Sequence, residues 1–262
     1  MRTVRASVLV AMAAVSAVVG SGHAASASPA ASASGPLSSP SPIAQPATTM
    51  FATPEDAIHA YLAGVADADV EGILRASAID ELSAGFDLAR YADRYRALLV
   101  ATTLAPSGYP FYVELNRARQ TERILGEVQL LAYSLLSSQT IDETSIPVDK
   151  AWADTFSAEV DPARLAGLTV TDIRFPNARF EHDPKYLSGA AAQAAVYGAD
   201  ELTERLALVS LDGHLYQVGF TLLRYGAGWK VYQQSSSLAG MGGLGTAVPT
   251  TVEDFDRLTA GD

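Results

Sequence analysis

Hydrophobic positions between residues 53 and 136 recur at helical spacing. The sequence Thr-Pro-Glu-Asp at residues 53–56 combines a capping hydroxyl, a proline at the first helical position and acids in the first turn, which together favour helix initiation. The apolar positions that follow predict two short helices, separated by Asp-Ala-Asp at residues 67–69. Amphipathic stretches at about residues 86–101 and 112–136 predict a third helix and a long fourth helix.

The third and fourth predicted helices each carry an apolar stripe that we expect to face the core. The stripe of the third helix consists of Leu88, Tyr91, Tyr95, Leu98 and Leu99. The stripe of the fourth helix consists of Leu115, Ile124, Leu125, Val128, Leu131 and Leu135. The first half of the folded part of the chain is therefore predicted to be helical.

The second half of the chain changes to a pattern of strands and turns. Residues 168–175 are rich in β-branched side chains and predict one strand. Three further strands are predicted at residues 202–211, 215–225 and 229–237. The glycine-containing turns between these three are short enough to predict hairpins, so residues 215–225 should form the central strand of an antiparallel meander.

The predicted fold class is α+β. A helical N-terminal half packs on one face of a curved antiparallel sheet that is built mainly from the C-terminal half. Three more short helices are predicted at about residues 150–160, 188–197 and 252–258. Trp229 contributes more apolar area than any other side chain of the last strand, so we expect it to be largely buried against the helices.

The start of the chain has the layout of a secretory signal peptide. Arg2 and Arg5 precede a charge-free apolar run at residues 6–19, and the small residues that follow predict cleavage after Ala24 or Ala27. The alternative is a membrane anchor, which needs about 20 apolar residues to cross a bilayer. Because the run is shorter, we expect a secreted or extracytoplasmic protein that does not span the membrane after cleavage.

Three segments follow from this reading of the chain. Residues 1–24 are the predicted signal peptide. Residues 25–50 are almost wholly alanine, serine and proline, a composition that predicts a disordered linker. Residues 51–262 are long enough to form a single globular α+β domain.

The composition indicates how the fold is stabilised and which partners the protein is expected to bind. The chain contains no cysteine, so no disulfide supports the fold and the core must stabilise it alone. The formal net charge of −11 changes to −13 when the two arginines of the signal peptide are removed. A surface this acidic repels phosphate backbones and anionic lipid headgroups, so we expect no nucleic-acid partner.

The sequence offers little catalytic or metal-binding chemistry. The glycines of residues 240–245 match the dinucleotide-binding spacing, but no helix follows them to hold a pyrophosphate. His59, His182 and His214 do not have metal-ligand spacing, and no Gly-x-Ser-x-Gly nucleophile motif occurs. We therefore predict no catalytic, cofactor-binding or metal-binding residues.

Three short motifs resemble the nuclear transport factor two-like (cystatin-like cone) superfamily. They are Pro-Glu-Asp-Ala-Ile-His-Ala-Tyr-Leu at residues 54–62, the break at residues 67–69 and Gly-Trp-Lys-Val at residues 228–231. The chain looks like an exported actinobacterial type with an enlarged helical segment. The resemblance implies a curved sheet that wraps around helices and forms a cone with a pocket. Members include isomerase-like and dehydratase-like enzymes and many exported proteins with no known activity.

A candidate pocket follows from strand alternation. Residues 229, 231, 233 and 235 should share one face of the last strand, which directs Gln233 towards the cone. Asp172 alternates in the same way with Leu168 and Val170, and Tyr61 can line the same cavity. The same patterns also describe strands that end in water and tyrosines that belong to the core.

Two hypotheses about function remain open. The preferred one is a noncatalytic binding or interaction domain that holds a small apolar ligand or a protein segment. The alternative is an isomerase- or dehydratase-type enzyme in which Asp172 acts as base and tyrosines donate protons. A deep cavity with a desolvated carboxylate favours the enzyme, and a cavity filled by side chains favours the interaction protein.

Overall fold

A computed structural model describes residues 49–139, 141, 146–241 and 245–261 of the chain. The predicted signal peptide and nearly all of the predicted linker lie outside the described residues, as does part of the glycine motif at residues 240–245. The described residues have the predicted α+β class, with helices mostly in the N-terminal half and an open antiparallel sheet in the C-terminal half.

Five helices form the first part of the described chain. They are α1 (Pro54–Ala66), α2 (Val70–Ala76), α3 (Ile79–Gly85), α4 (Leu88–Tyr95) and α5 (Pro110–Leu136). The start of α1 confirms the sequence signal, because Thr53 and Asp56 form a reciprocal capping box and Pro54 occupies the first turn. Asp69 caps α2 by accepting a hydrogen bond from the Gly72 amide.

The remaining elements are five strands and several shorter helices. The strands are β1 (Thr169–Arg174), β2 (Glu201–Leu211), β3 (His214–Tyr225), β4 (Gly228–Gln233) and β5 (Val248–Pro249). The helices are α6 (Lys150–Glu159), a 3-10 turn (Pro162–Gly167), α7 (Ala178–Glu181), α8 (Pro184–Val196) and α9 (Val252–Ala260). The sheet order is β1-β2-β3-β4, all antiparallel, and β5 pairs with β3.

The predicted meander is confirmed. Strand β3 pairs with β2 on one side and with β4 on the other. Asp212 and Gly213 both adopt positive φ angles, of 51° and 80°, in the turn between β2 and β3. This backbone matches a tight hairpin turn, and glycine at the second position adopts it without steric cost.

The sheet is covered on both faces, whereas the sequence predicted helices on one. On one face, alternate residues such as Val209, Phe220 and Val231 pack with α1 in the main core. On the other face, Leu223 packs with Leu82 of α3 and with residues of α8. A third, smaller cluster joins β2 to α9 through Phe255, which is fully buried. Nearly continuous burial along β2 and β3 is the consequence.

The predicted third helix is wrong in its bounds. Only α4 lies within the predicted segment, and it ends at Tyr95 because the left-handed backbone of Arg96 (φ 52°) stops the helix. Leu98 and Leu99 therefore lie in a loop, where both are exposed. The two leucines continue the apolar pattern of the helix, but neither belongs to a hydrophobic cluster of the described residues. Helix α3, which precedes α4, was not predicted.

The long helix α5 has the predicted length but a different buried face. Ile124, Leu131 and Leu135 are buried as expected, whereas Leu115 and Leu125 are exposed. Asn116 and Gln120 take inward positions instead. The Asn116 side chain accepts a hydrogen bond from the Ala105 amide and donates one to the Ala105 carbonyl, both at 2.8 Å, so the helix turns this face towards the preceding loop.

Candidate functional site

Tyr61 occupies the space where the sequence predicted an open pocket. Its side chain is fully buried between α1 and the sheet, and its ring meets Phe220 edge to face with centroids 5.7 Å apart. The hydroxyl donates a hydrogen bond of 2.6 Å to Oε1 of Gln234. Burial, followed by the nearby Glu127 carboxylate, raises the pKa of Tyr61 well above its ordinary value, and Arg123 offsets part of this rise. Tyr61 is therefore a neutral core residue.

A β-bulge in β4 places Gln234, rather than Gln233, next to Tyr61. Val231 pairs with Leu222, but Gln233 pairs with Thr221, so β4 contains one extra residue at Tyr232. The bulge reverses the alternation that the sequence predicted. Gln234 is buried next to Tyr61, whereas Gln233 is only partly buried and donates a hydrogen bond to Ser235.

A second bulge moves Asp172 away from the predicted face. Val170 pairs with Val209 and Asp172 pairs with Leu208, so the extra residue in β1 turns Asp172 towards α9. There its carboxylate accepts a hydrogen bond of 2.7 Å from Nε of Arg174, and Arg174 also pairs with Asp256 at 2.7 Å. The structure thus brings Tyr61 together with Gln234, and Asp172 together with partly exposed charged groups.

The polar groups next to Gln234 are mutually satisfied. Its side-chain amide donates to the Gly245 carbonyl, and its backbone amide donates to Glu127 at 2.9 Å. Glu127 pairs with Arg123 at 2.6 Å, and Arg123 donates to the Tyr232 carbonyl and lies over the Tyr232 ring. This network joins α5 to the bulge of β4, which is a structural role.

A second pair of polar side chains, Lys230 and Glu81, includes carboxylate oxygens that accept no hydrogen bond from the described residues. The segment between α2 and α3 lies along the edge of β4, where the Ala78 amide donates to the Val231 carbonyl at 2.8 Å. This contact places the first turn of α3, and with it Glu81, close to Lys230. Lys230 lies between Trp229 and Val231 on β4, so strand alternation turns it to the opposite face of the sheet from these two core residues.

Lys230 and Glu81 form a buried pair of opposite charge. Lys230 is 3% exposed, and its ammonium donates a hydrogen bond of 2.5 Å to the Arg75 carbonyl. The closest Glu81 oxygen lies 3.8 Å from Nζ of Lys230, which is too long for a hydrogen bond. Desolvation lowers the pKa of Lys230, and the negative charges of Glu81 and Asp80 offset part of this decrease. The Lys230 ammonium is thus partly compensated inside the protein.

Both carboxylate oxygens of Glu81 are buried and accept no hydrogen bond from any group that the structure describes. A carboxylate in water accepts several hydrogen bonds, and a buried polar group without them costs about 1–3 kcal/mol. Such a group needs an explanation, which can be an ordered water or a bound molecule. Glu81 is therefore the acceptor that a ligand with a donor group can satisfy.

A cleft of about 210 Å³ lies above this pair. We call it the Glu81–Lys230 cleft; its wall includes the apolar side chains of Leu74 and Ile79. Arg117 also lines the cleft and pairs with Asp80 at 2.6 Å. The hydrogen bonds to Asp80 and Glu114 raise the pKa of Arg117, so this guanidinium stays charged.

Sequence reasoning missed both residues of the pair. A lysine between two apolar residues of a short last strand is typical of a solvent-facing position on an edge strand. Glu81 lies in α3, a helix that the sequence analysis did not predict. The signal that was present, Lys230 within Gly-Trp-Lys-Val, indicated only a family resemblance.

The described residues contain neither a metal-binding cluster nor a membrane-spanning helix. Within the described ranges, no three or more His, Asp or Glu side chains form a group that could hold a metal ion. Among the helices that the structure describes, none has the length and apolarity needed to cross a membrane.

The comparisons with known proteins give one structural likeness. No family model matches the chain, and no curated protein matches it. The crystal structure of a cystatin-like protein from Ruminococcus gnavus is similar to it with a TM-score of 0.49 and 20% sequence identity. The match covers 69% of this chain and 39% of that protein. A likeness of this size carries no argument about function, and membership of the nuclear transport factor two-like superfamily stays a prediction.

Proposed function

We propose that the chain is an exported, noncatalytic binding domain whose ligand site is the Glu81–Lys230 cleft. The observation that carries this proposal is the buried Glu81 carboxylate, which accepts no hydrogen bond within the described residues. Binding sites commonly retain groups that cost stability in the free protein, because those groups are satisfied by the ligand.

The size and charge of the cleft limit the ligand. Its volume of about 210 Å³ is smaller than the roughly 300–1,000 Å³ of drug-sized ligand pockets. A cationic ligand would meet the Lys230 ammonium, which lies 3.8 Å from Glu81, and an anionic ligand would meet Glu81 itself. We therefore infer a small neutral molecule with O–H or N–H donors, rather than the apolar ligand that the sequence suggested.

The interior of the fold supports a binding role over the enzyme alternative. The expected cone is filled by side chains such as Tyr61 and Phe220, which the sequence-based reasoning associated with an interaction protein. The proposed base, Asp172, lies in ion pairs with a half-exposed arginine instead of in a dry cavity. Asp172 is therefore not the desolvated base that this enzyme hypothesis required.

Export is the part of the proposal that concerns residues outside the described ranges. It rests on the signal-like pattern of residues 1–24. N-terminal sequencing of protein recovered outside the cytoplasm should give a start at Ala25 or Ser28. A chain that retains Met1 in the membrane fraction would overturn this part.

Saturation-transfer NMR tests the ligand site. The probes are glycerol, erythritol and acetamide, which are small neutral donors. We expect transfer to at least one probe in the wild-type protein and its loss in the double variant Glu81→Met/Lys230→Met. The matched control Lys150→Met/Asp154→Met removes an exposed ion pair and should leave transfer unchanged.

Two outcomes contradict the proposed site. The first is the absence of transfer to all three probes in the wild-type protein. The second is equal transfer in the wild-type protein and the double variant. Circular dichroism of each variant establishes that a lost signal reflects the site and not the fold.

A further inference from the structure

Two segments that are close together in sequence expose several large apolar side chains. They belong to the loop between α4 and α5 and to the start of α5, and we call them the 98–112 surface: Leu98, Leu99, Val100, Tyr109, Phe111 and Tyr112. Val100 is 82% exposed, Phe111 73% and Tyr109 65%. Single exposed apolar residues are common, but a group of this kind marks an interaction site.

The loop that carries this surface is fixed at its base. Leu104 is buried, and the side chain of Asn116 holds both backbone groups of Ala105. Arg119 donates to the Thr103 carbonyl at 3.1 Å, and the Ser107 hydroxyl donates to the Phe86 carbonyl at 2.8 Å. The exposed side chains are thus presented by an anchored loop, which lowers the entropy cost of binding.

The charge of this region differs from the rest of the chain. The chain has 29 acidic residues, but residues 94–113 contain no Asp or Glu and two arginines, Arg94 and Arg96. Arg94 lies over the ring of Tyr95, and Arg96 pairs with Asp93, at an exposed position where a single ion pair is weak. The surface itself is therefore apolar and aromatic. Arg94 and Arg96 lie at its border, and the flanking acids Asp93 and Glu114 pair with Arg96 and Arg117.

We propose that the 98–112 surface docks on a lipid bilayer that contains anionic headgroups. The side chains with the highest exposure protrude into solvent, so a deformable acyl region can accommodate them without a preformed groove. Tyrosines are favoured at the boundary between headgroups and acyl chains, and arginines are attracted by anionic headgroups. This proposal is independent of the Glu81–Lys230 cleft.

The acidic remainder of the protein does not prevent this contact. The net charge of the whole chain, −11, should repel an anionic surface at long range. At physiological salt, however, exposed charges are screened beyond about 8–10 Å. The groups next to the bilayer then decide the interaction, and in residues 94–113 these are arginines and apolar side chains.

Hydrogen exchange with added vesicles tests the proposal on the full chain. Vesicles of phosphatidylcholine with phosphatidylglycerol should protect peptides from residues 96–113, and pure phosphatidylcholine should protect them less. Leu99→Glu and Phe111→Glu should each weaken this local protection on the order of tenfold or more, because each replaces an inserted apolar side chain by a charge. Because the readout is local, contacts made by residues 1–48 do not affect it.

Two further variants make the test specific. Leu187→Glu changes a leucine of α8 that is similarly exposed, at 49%, and should leave the protection intact. Phe111→Trp keeps an interfacial aromatic side chain and should keep the protection. Arg94→Gln with Arg96→Gln should reduce the preference for anionic vesicles.

Three results would overturn the proposal. One is the absence of vesicle-dependent protection at residues 96–113 in the wild-type protein. Another is equal protection in the wild-type protein and in both glutamate variants. The third is protection that depends on protein concentration without vesicles, because it would show that a second copy of the chain covers the surface.

Discussion

Tyr61 and Phe111 are both aromatic residues of amphipathic helices, but their surroundings are opposite. Tyr61 is fully buried in the core between α1 and the sheet, whereas Phe111 is 73% exposed at the first turn of α5. Helix α1 packs against β4 along its length. The first turn of α5 carries the exposed Phe111, and one turn further on Asn116 is hydrogen-bonded to Ala105 in the loop that precedes the helix.

The comparison shows that apolar pattern and burial are separate properties. The sheet forms a continuous apolar surface, and the apolar face of α1 packs against it in the main core. The loop between α4 and α5 and the start of α5 have no such surface, and their apolar side chains remain in solvent. Such unpartnered apolar residues are a place to look for binding.

The largest expected effect is that of Trp229→Ala in the sheet core. The indole is 8% exposed and its backbone pairs with Phe51, which ties the entry to α1 to β4. A large-to-small change at such a position should cost about 3–5 kcal/mol in free energy of unfolding. Chemical denaturation measures this value, and an unchanged denaturation midpoint would contradict the buried position of the ring.

Lys230→Met should have the next largest effect. It leaves the Glu81 carboxylate buried with neither a counter-charge nor a hydrogen bond, which should cost about 1–3 kcal/mol in unfolding free energy. The double variant Lys230→Met/Glu81→Met should recover most of this loss, because apolar replacement of a whole buried ion pair is often neutral or stabilising. Denaturation of both variants checks this, and a double variant less stable than Lys230→Met would show that Glu81 is a structural residue.

Tyr61→Phe should have a smaller effect at neutral pH and a distinct effect in alkali. Loss of the hydrogen bond to Gln234 should cost about 1 kcal/mol. The raised pKa of Tyr61 means that the folded protein holds the phenolic proton more tightly than the unfolded chain does. The stabilisation from this difference is complete below pH 10, the ordinary tyrosine pKa, and is lost as pH rises above it.

The alkaline effect of Tyr61→Phe is measured by denaturation between neutral pH and pH 11. Removal of one such phenol should make the decline of stability above pH 10 shallower by about 1.4 kcal/mol per pH unit. The decline should persist in part, because burial also raises the pKa values of Tyr197 and Tyr225. Identical slopes in the variant and the wild-type protein would show that Tyr61 ionises without unfolding.

The sequence predicted the elements better than the site. Hairpin turns fix which strands are neighbours, so the order of β2, β3 and β4 followed from short glycine turns alone. A bulge, in contrast, adds one residue without a clear sequence signal and reverses every later alternation. The bulges at Tyr232 and between Val170 and Asp172 therefore displaced both predicted polar pocket residues.

The Glu81–Lys230 pair could not be predicted from the sequence for a related reason. The two residues are distant in sequence, and only the contact of the α2–α3 segment with the edge of β4 brings them together. Local periodicity carries no information about such a contact. The exposed leucines at 98 and 99 show the opposite limit, since a perfect helical pattern continues past the residue at which the helix ends.

Phe111→Ala should have the smallest effect on stability and sharpens the comparison with Trp229→Ala most directly. Both changes remove a large aromatic ring, but the Phe111 ring is mostly in water in the folded protein as in the unfolded chain. Little apolar area is therefore re-exposed, and the unfolding free energy should change by no more than about 0.5 kcal/mol. Chemical denaturation of the two variants under the same conditions measures the contrast. A cost for Phe111→Ala close to that of Trp229→Ala would mean that the ring is covered in solution by another part of the protein or by a second copy, and the 98–112 surface would then not be free to meet a bilayer.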